Sequence, residues 1–325
     1  MPQVAITDYT FPSLEIEQAI LDEAGLDLIS GQCRTPETLM ELVRDADAVI
    51  TQFAPVNADV VRGMQRAKVI VRYGIGYDNV ACDVARELGI PVCNIPDYCV
   101  DEVAEHTLAC ILATTRQLRP NCDIILRGKW GLGVPLEHMR TLRDLTVGII
   151  GFGRIGRAVA ERLKAFRCRM LVVDPVASSS DVAAAGASLV PLDDLLTSSD
   201  VVTLHCPSTP QTRKLINADT LARMKPGAIF INLGRGDLAD LDSVTQALSS
   251  GHLSAAALDV FDPEPLPAGH PLRELSNVIL SSHIASASPT AVRTLRETAA
   301  RLAVMALRGE PLPTVVNGVG AGTAS

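Results

Sequence analysis

Five apolar runs of strand length in the second half of this 325-residue chain lead straight to residues able to do chemistry. Residues 170–173 run to Asp174, Val201–Leu204 to His205-Cys206-Pro207, Ala228–Asn232 to Leu233-Gly234-Arg235, 254–258 to Asp259, and 278–281, past Ser282, to His283. In an open α/β sheet a ligand sits outside the carboxyl ends of the strands, so parallel strands of one sheet would bring these residues to one edge. Together they offer a ribose acceptor, loop backbone, a permanent cation, a second carboxylate and a titratable base. Such a set suits reduction of a 2-keto acid. That reaction needs a hydride donor, a cation for the substrate's carboxylate and carbonyl, and a proton donor at the carbonyl oxygen. Arg235 fits the cation, because Gly234 and Gly236 leave its guanidinium accessible and its fork matches a carboxylate in two parallel bonds. Without context it is as readily a surface arginine in a turn. His283 fits the proton donor, and Glu264 is a candidate partner: a carboxylate on the far ring nitrogen orients an imidazole and favours its charged form. His106, His138, His252 and His270 stand in helical, polar or turn settings that suit proton transfer less, and His205 reads as a neighbour of the cofactor.

The hydride donor has its own signature. Thr146–Ile150, an apolar run, passes directly into Gly151-Phe152-Gly153-Arg154-Ile155-Gly156 and then into a helix-forming stretch, 157–166. Gly151 permits a tight turn, Gly153 lets backbone approach a pyrophosphate, and Gly156 lets the helix pack on the strand, while the helix N-terminus supplies N–H groups for the phosphates. Asp174 lies eighteen residues beyond Gly156, close to the spacing of an acid that holds the adenosine ribose. A carboxylate there repels a 2′-phosphate, and residues 175–180 contain no Arg or Lys to attract one, so NAD is expected over NADP. The competing reading of Asp174 is an ordinary turn residue at a strand end.

These residues need a scaffold, and the pattern implies an α/β one. Residues 4–6, 26–29, 48–50, 69–71 and 91–93 are short apolar runs separated by segments of helical period at 14–23, 38–44 and 80–88. Repeated units of this kind build a parallel sheet covered on both faces. A helix over 101–118, closed by Pro120, leads into a second doubly wound sheet of about six strands, from Thr146–Ile150 to 278–281. A long last helix, Pro289–Arg308, returns the chain to the first domain. The expected division is therefore 1–100 with 289–325 as a discontinuous substrate-binding domain, and 101–288 as the dinucleotide-binding domain. Residues 318–325 are small and polar and are expected to fray.

Composition narrows the partners. Hydrophobic residues make up 47% and charged residues 20%, as in folded globular proteins. A net charge of −8 without a basic stripe disfavours nucleic acid. No stretch of 18 apolar residues and no leader-like start is present, so no membrane partner is expected. Eight cysteines without CxxC pairs suggest neither zinc nor disulfides, and a cytoplasmic location is expected.

Seven ordered blocks, VRYGIGYDNV (71–80), DEVAEHTLA (101–109), VGIIGFGRIGRAVA (147–160), HCPSTPQT (205–212), MKPGAIFINLGRG (224–236), ALDVFDPEPLP (257–267) and HIA (283–285), resemble the D-isomer-specific 2-hydroxyacid dehydrogenase family over nearly the whole chain. That group includes phosphoglycerate, glyoxylate/hydroxypyruvate and D-lactate dehydrogenases and the C-terminal-binding-protein corepressors. The resemblance implies a Rossmann NAD-binding domain inserted in a flavodoxin-like domain, a small 2-hydroxy or 2-keto acid as substrate, and a homodimer. It assigns substrate binding and polarisation to Arg235, support of the histidine to Glu264, and proton transfer to His283. Asp259 would hydrogen-bond the nicotinamide carboxamide, and Val103, His205, Cys206, Pro207, Thr212, Leu233 and Gly234 would line the cofactor. Tyr73, Gly74, Ile75 and Gly76 match the loop whose N–H groups hold the substrate carboxylate; read alone, they form a simple turn. Residues 96–104 are similar to bacterial members nearest the corepressors, so an NAD-responsive scaffold is the alternative function. Ser282 stands where the family commonly has proline, and Ser286-Ala287 occupy pocket-shaping positions, which loosens any assignment of substrate. Arg72 and Trp130 are candidates for contact with a substrate substituent or for structure.

Overall fold

Parallel strands covered by helices on both faces bury both of their sides, so their sequences read as unbroken apolar runs. The computed structural model, which describes residues 1–320, contains two sheets of this kind in two units. The first unit comprises residues 1–99 together with the chain from Ser288 onward; the second is Val100–Ala287. The tail expectation falls, for residues 321–325, outside the described residues.

In the first unit β1 (Gln3–Ile6), β2 (Asp27–Ser30), β3 (Ala48–Thr51), β4 (Ile70–Arg72) and β5 (Val92–Cys93) pair in the order β2-β1-β3-β4-β5, all parallel. Alternate side chains enter two cores. Val4, Ile6, Ile50 and Val71 join Leu295, Ala299 and Leu302 of the helix Pro289–Arg308 on one face, while Ala5, Val49, Ile70 and Val92 join Leu39, Val43 and Val60 on the other. The last helix starts at Ser288, whose hydroxyl accepts the Ala291 N–H at 2.9 Å, and stops at Gly309 with φ of 73°. Beyond it the chain closes the β5 edge: the buried Asn317 accepts the Val92 N–H at 3.0 Å and donates to the Ile90 carbonyl at 2.8 Å.

In the second unit β6 (Thr146–Ile150), β7 (Arg169–Val173), β8 (Ser188–Leu189), β9 (Val201–Leu204), β10 (Ala228–Asn232), β11 (Leu253–Leu258) and β12 (Val278–Leu280) form one parallel sheet in the order β12-β11-β10-β9-β6-β7-β8. The six expected strands are present within a residue at each end. A seventh, β8, was not expected, because a two-residue, incompletely buried edge strand carries no apolar run to announce it. The helix entering this unit also differs from expectation. It spans Val100–Thr115, not 101–118, and Gln117, at φ of 50°, turns the chain into a new helix, Leu118–Leu126. Pro120 therefore sits in the first turn of a helix instead of closing one, a place where its missing N–H costs no bond.

The Asn317 clamp predicts that Asn317→Ala lowers the opening free energy at the Val92 amide by about 1–3 kcal/mol, the cost of a buried donor losing its acceptor. Hydrogen exchange at that amide measures it, and unchanged protection would exclude the clamp.

Candidate active site

Strand order reverses between β6 and β9, where a doubly wound sheet opens a crevice at its carboxyl edge. Gly151 leaves β6 at φ of 95°, and a methyl group added to it would lie 2.4 Å from the Cys206 nitrogen, so the backbones after the two strands touch. Gly156 is equally constrained: an added methyl would lie 2.1 Å from the Gly151 carbonyl oxygen, and that contact seats the helix Arg154–Leu163 on its strand. Gly153 faces open space, with no atom within 4 Å of an added methyl. It caps the ten-residue helix without a side-chain acceptor, which leaves the N–H groups of Arg154, Ile155 and Gly156 at the end of the helix where positive potential gathers. Glycine loop, open face and helix end fit a dinucleotide pyrophosphate.

Asp174 is brought to this loop. One of its carboxylate oxygens accepts the Phe152 N–H at 2.7 Å, and the other accepts the Val176 and Ala177 N–H groups at 2.8 and 2.9 Å. The side chain thus forms a strand-end turn and ties that turn to the glycine loop. Beyond β9, the His205 N–H donates to the Ile150 carbonyl at 2.7 Å and its ring Nε2 meets Thr203 Oγ1 at 2.9 Å. Burial pulls this histidine down to about 4, so the ring is neutral at neutral pH. Burial also pushes the Cys206 thiol up to about 11, with the charges of Asp174 and Asp237 adding to the effect. Thr212 folds the following loop on itself, donating to the Pro207 carbonyl at 2.7 Å and accepting the Thr209 N–H at 2.8 Å. Val103, in the first turn of Val100–Thr115, and Leu233, just past β10, are both buried.

The Arg235 loop is held by a residue that motif reading passed over. Asn232, 1% exposed at the end of an otherwise apolar strand, accepts the Gly234 N–H at 3.1 Å and donates to the Arg235 carbonyl at 2.8 Å. A polar residue closing an apolar run was the available signal. Arg235 Nη1 donates to the Gly234 carbonyl at 2.9 Å. A methyl group on Gly236 would fall 2.0 Å from the Phe261 carbonyl carbon, so this loop rests directly on the segment leading to Glu264. Glu264 Oε1 accepts the Phe261 N–H at 2.9 Å, and Oε2 lies 2.9 Å from His283 Nδ1. Burial alone would raise the Glu264 carboxyl. The bonds from His283 and Phe261 with the charges of His283 and Arg235 outweigh it and hold the group below the ordinary carboxylate range.

His283 itself adopts φ of 57°, unusual for a residue with a side chain. Asp259, fully buried, surrounds it. Its carbonyl accepts the His283 N–H at 2.7 Å, and its carboxylate accepts Ser281 Oγ at 2.5 Å, Ile284 N at 3.0 Å and Ala285 N at 2.8 Å. Arg235, Glu264, His283 and Asp259 are therefore linked through bonded or touching segments of one sheet edge.

In the first unit, the Tyr73–Gly76 loop follows β4. Three of its four carbonyls are bonded within the unit: Tyr73 O accepts Arg72 Nη1 at 2.7 Å, Gly74 O accepts the Ile95 N–H at 2.9 Å, and Ile75 O accepts Asn94 Nδ2 at 2.7 Å. Among the described residues no acceptor faces the Ile75 or Gly76 N–H. Arg72 is 8% exposed and lies over Gly74, where a side chain would collide with the guanidinium.

Residues 108–285 match the model of the D-isomer specific 2-hydroxyacid dehydrogenase NAD binding domain. The chain is 36% identical over 323 residues to the D-3-phosphoglycerate dehydrogenase of Mycobacterium tuberculosis, covering 99% of this chain and 60% of that protein. It thus spans about three fifths of the length of that relative. Identity to the glyoxylate reductase of Thermofilum pendens is also 36%, over 92% of each chain. A crystal structure of D-lactate dehydrogenase from Aquifex aeolicus complexed with NAD and lactic acid superposes with a TM-score of 0.85 at 28% identity, covering 94% of this chain and 96% of that one. None of these is described as a scaffold or corepressor, so they lend that alternative no support. With more than half of the chain inside the family model and a relative matched over nearly its full length, this chain belongs to the D-isomer specific 2-hydroxyacid dehydrogenase family.

Proposed function

We propose that the protein is an NAD-dependent 2-hydroxyacid dehydrogenase that interconverts a small 2-hydroxy acid and its 2-keto acid. The observation that carries this reading is the 2.9 Å bond between Glu264 and His283, on the same sheet edge as Arg235 and the glycine loop. NADH, when bound, supplies the hydride. In the reducing direction His283, held through Nδ1, gives a proton from Nε2 to the developing alkoxide and takes it back in oxidation. Glu264 orients the ring and stabilises its charged form. Arg235 grips the substrate carboxylate and draws charge from the carbonyl. In the first unit, the Tyr73–Gly76 loop, through the Ile75 and Gly76 N–H groups, is assigned carboxylate binding by the same reading. The glyoxylate and D-lactate enzymes among the relatives point to a short substrate chain.

Arg235→Ala and His283→Ala are each expected to lower kcat/KM for glyoxylate by about 100- to 10,000-fold while NADH still binds. Glu264→Gln removes the carboxylate that orients the ring through Nδ1 and is expected to lower kcat by about 10- to 100-fold with NADH affinity unchanged. Near-normal turnover in any of the three variants would count against these roles.

Asp174 supports a preference for NAD, since its carboxylate borders the glycine loop and repels a 2′-phosphate. Asp174→Ala should narrow the ratio of catalytic efficiencies with NADH and NADPH, at some cost in stability because three N–H groups lose their acceptor. A ratio equal to wild type would remove Asp174 from cofactor selection.

The reading includes a homodimer. The helix Leu118–Leu126 buries none of its residues, and Leu118, Ile125, Leu126, Trp130, Leu132 and Leu136 are each at least half exposed. A run of apolar side chains of this size marks a surface that is covered in use, and a second copy is the partner this reading assigns to it. Light scattering should give twice the 34.5 kDa chain mass, and Leu126→Glu with Trp130→Glu should halve it. A monomeric wild type would refute the dimer. Eight free thiols fit a reducing compartment, and a cytoplasmic location belongs to the same reading. No helix among the described residues is long and apolar enough to cross a membrane.

A further inference from the structure

A charged group lies deep in the first unit, beneath the Tyr73–Gly76 loop and given no role above. Glu17, fully buried on the helix Glu15–Glu23, receives Arg296 of the helix Pro289–Arg308 through both oxygens, at 2.8 Å from Nε and 2.6 Å from Nη2. Arg296 also donates to the Ser13 carbonyl at 2.6 Å, and its guanidinium lies 4.8 Å over the Phe11 ring. Phe11 meets the Tyr73 ring edge-on at 5.4 Å, and the Tyr73 hydroxyl donates to Glu17 Oε1 at 2.9 Å. Tyr73 is 1% exposed and begins the loop that carries the Ile75 and Gly76 N–H groups.

An ion pair removed from water is a poor means of stabilisation, because apolar side chains of similar volume often serve as well or better. What such a pair does provide is direction. A hydroxyl bonded to a fixed carboxylate has one place to go, whereas a ring in an apolar core tolerates sliding. Burial and the Glu17 charge push the Tyr73 hydroxyl well above its ordinary range, so it stays protonated and a donor near neutral pH.

We propose that Glu17 and Arg296 are positioning residues for the substrate-binding loop: through the Tyr73 hydroxyl they fix the backbone of Gly74–Gly76, so that the Ile75 and Gly76 N–H groups meet a 2-keto acid carboxylate in one geometry. The loop is then held from two sides. Arg72, Ile95 and Asn94 restrain its carbonyls, and the buried pair restrains its first side chain. The proposal rests on the reading of Tyr73–Gly76 as a carboxylate-binding element, and it adds residues 17 and 296, which are far apart in sequence.

The test uses the full chain and two variants. Tyr73→Phe keeps the ring and the ion pair and removes only the link between them. The double variant Glu17→Leu with Arg296→Met replaces the charged pair by apolar side chains, so that no lone charge is buried. Steady-state reduction of glyoxylate, NADH binding, thermal stability and hydrogen exchange over residues 73–80 are measured for each. Both variants are expected to raise KM for glyoxylate about tenfold with a smaller change in kcat. NADH affinity should be unchanged, and exchange over 73–80 faster than in wild type. A lower melting temperature with unchanged KM and unchanged exchange would reduce the network to a structural role and overturn the proposal. If the wild type reduces no 2-keto acid, the dehydrogenase reading fails. The exchange data then still decide whether the pair holds the loop.

Discussion

Where β6 and β9 part, the backbones of Gly151 and Cys206 lie too close for any side chain between them. Most of the second unit's chemistry follows from that contact. It brings the loop after β9 against the glycine turn, with the backbone of His205 and Cys206 packed on Gly151. It also requires a residue tolerant of φ near 95°, which limits the position to glycine. Asp174 then bonds to Phe152, the residue after this glycine, and so the end of β7 is registered to the same turn.

The other half of the edge is organised by two buried polar residues, each able to bond in more than one direction. Asn232 sets the Arg235 loop, and Asp259, whose N–H donates to the Asn232 carbonyl at 3.0 Å, sets the loop of His283. The unusual backbone of His283 is sustained by bonds from Asp259 to residues on either side of it. Glu264 completes the arrangement by accepting from its own loop and from the imidazole together. Its charge is stabilised by the bonds from His283 and Phe261 and by the nearby charges of His283 and Arg235.

What could be read in advance followed from physical signals of short range. Apolar runs gave strands within a residue, and the step from strand to glycine loop to helix identified the phosphate cradle, because each signal lies within one stretch of chain. The edge strand β8 escaped because one exposed and one partly buried residue leave no pattern. Pro120 misled because proline both stops helices and starts them, and only the left-handed turn at Gln117 distinguishes the cases. Asp174 was legible as two alternatives, a cofactor acid by its spacing and a turn residue by its place at a strand end; its bond across to Phe152, 22 positions away, has no local signal. Glu264 and His283 were paired from chemistry and resemblance, and the structure brings them to bonding distance. Asn232 left only the signal of a polar residue closing an apolar run, and the Glu17–Arg296 pair left none. The partners of that pair are 279 positions apart, and nothing local predicts that a glutamate in an N-terminal helix will find an arginine in the last one.

The route of the chain through the first unit carries a consequence for synthesis. Residues 1–99 emerge from the ribosome well before the helix Pro289–Arg308, which covers one face of their sheet, and before Asn317, which closes its β5 edge. The whole of Val100–Ala287 is made in between. At about 5–20 residues per second, that interval is on the order of ten to forty seconds. During it the nascent sheet presents Val4, Ile6, Ile50 and Val71 without their native cover, while the second unit has all of its own strands and can fold as a continuous piece. The second unit therefore has all of its residues before the first has its last helix, and the first unit's sheet is the later of the two to be covered.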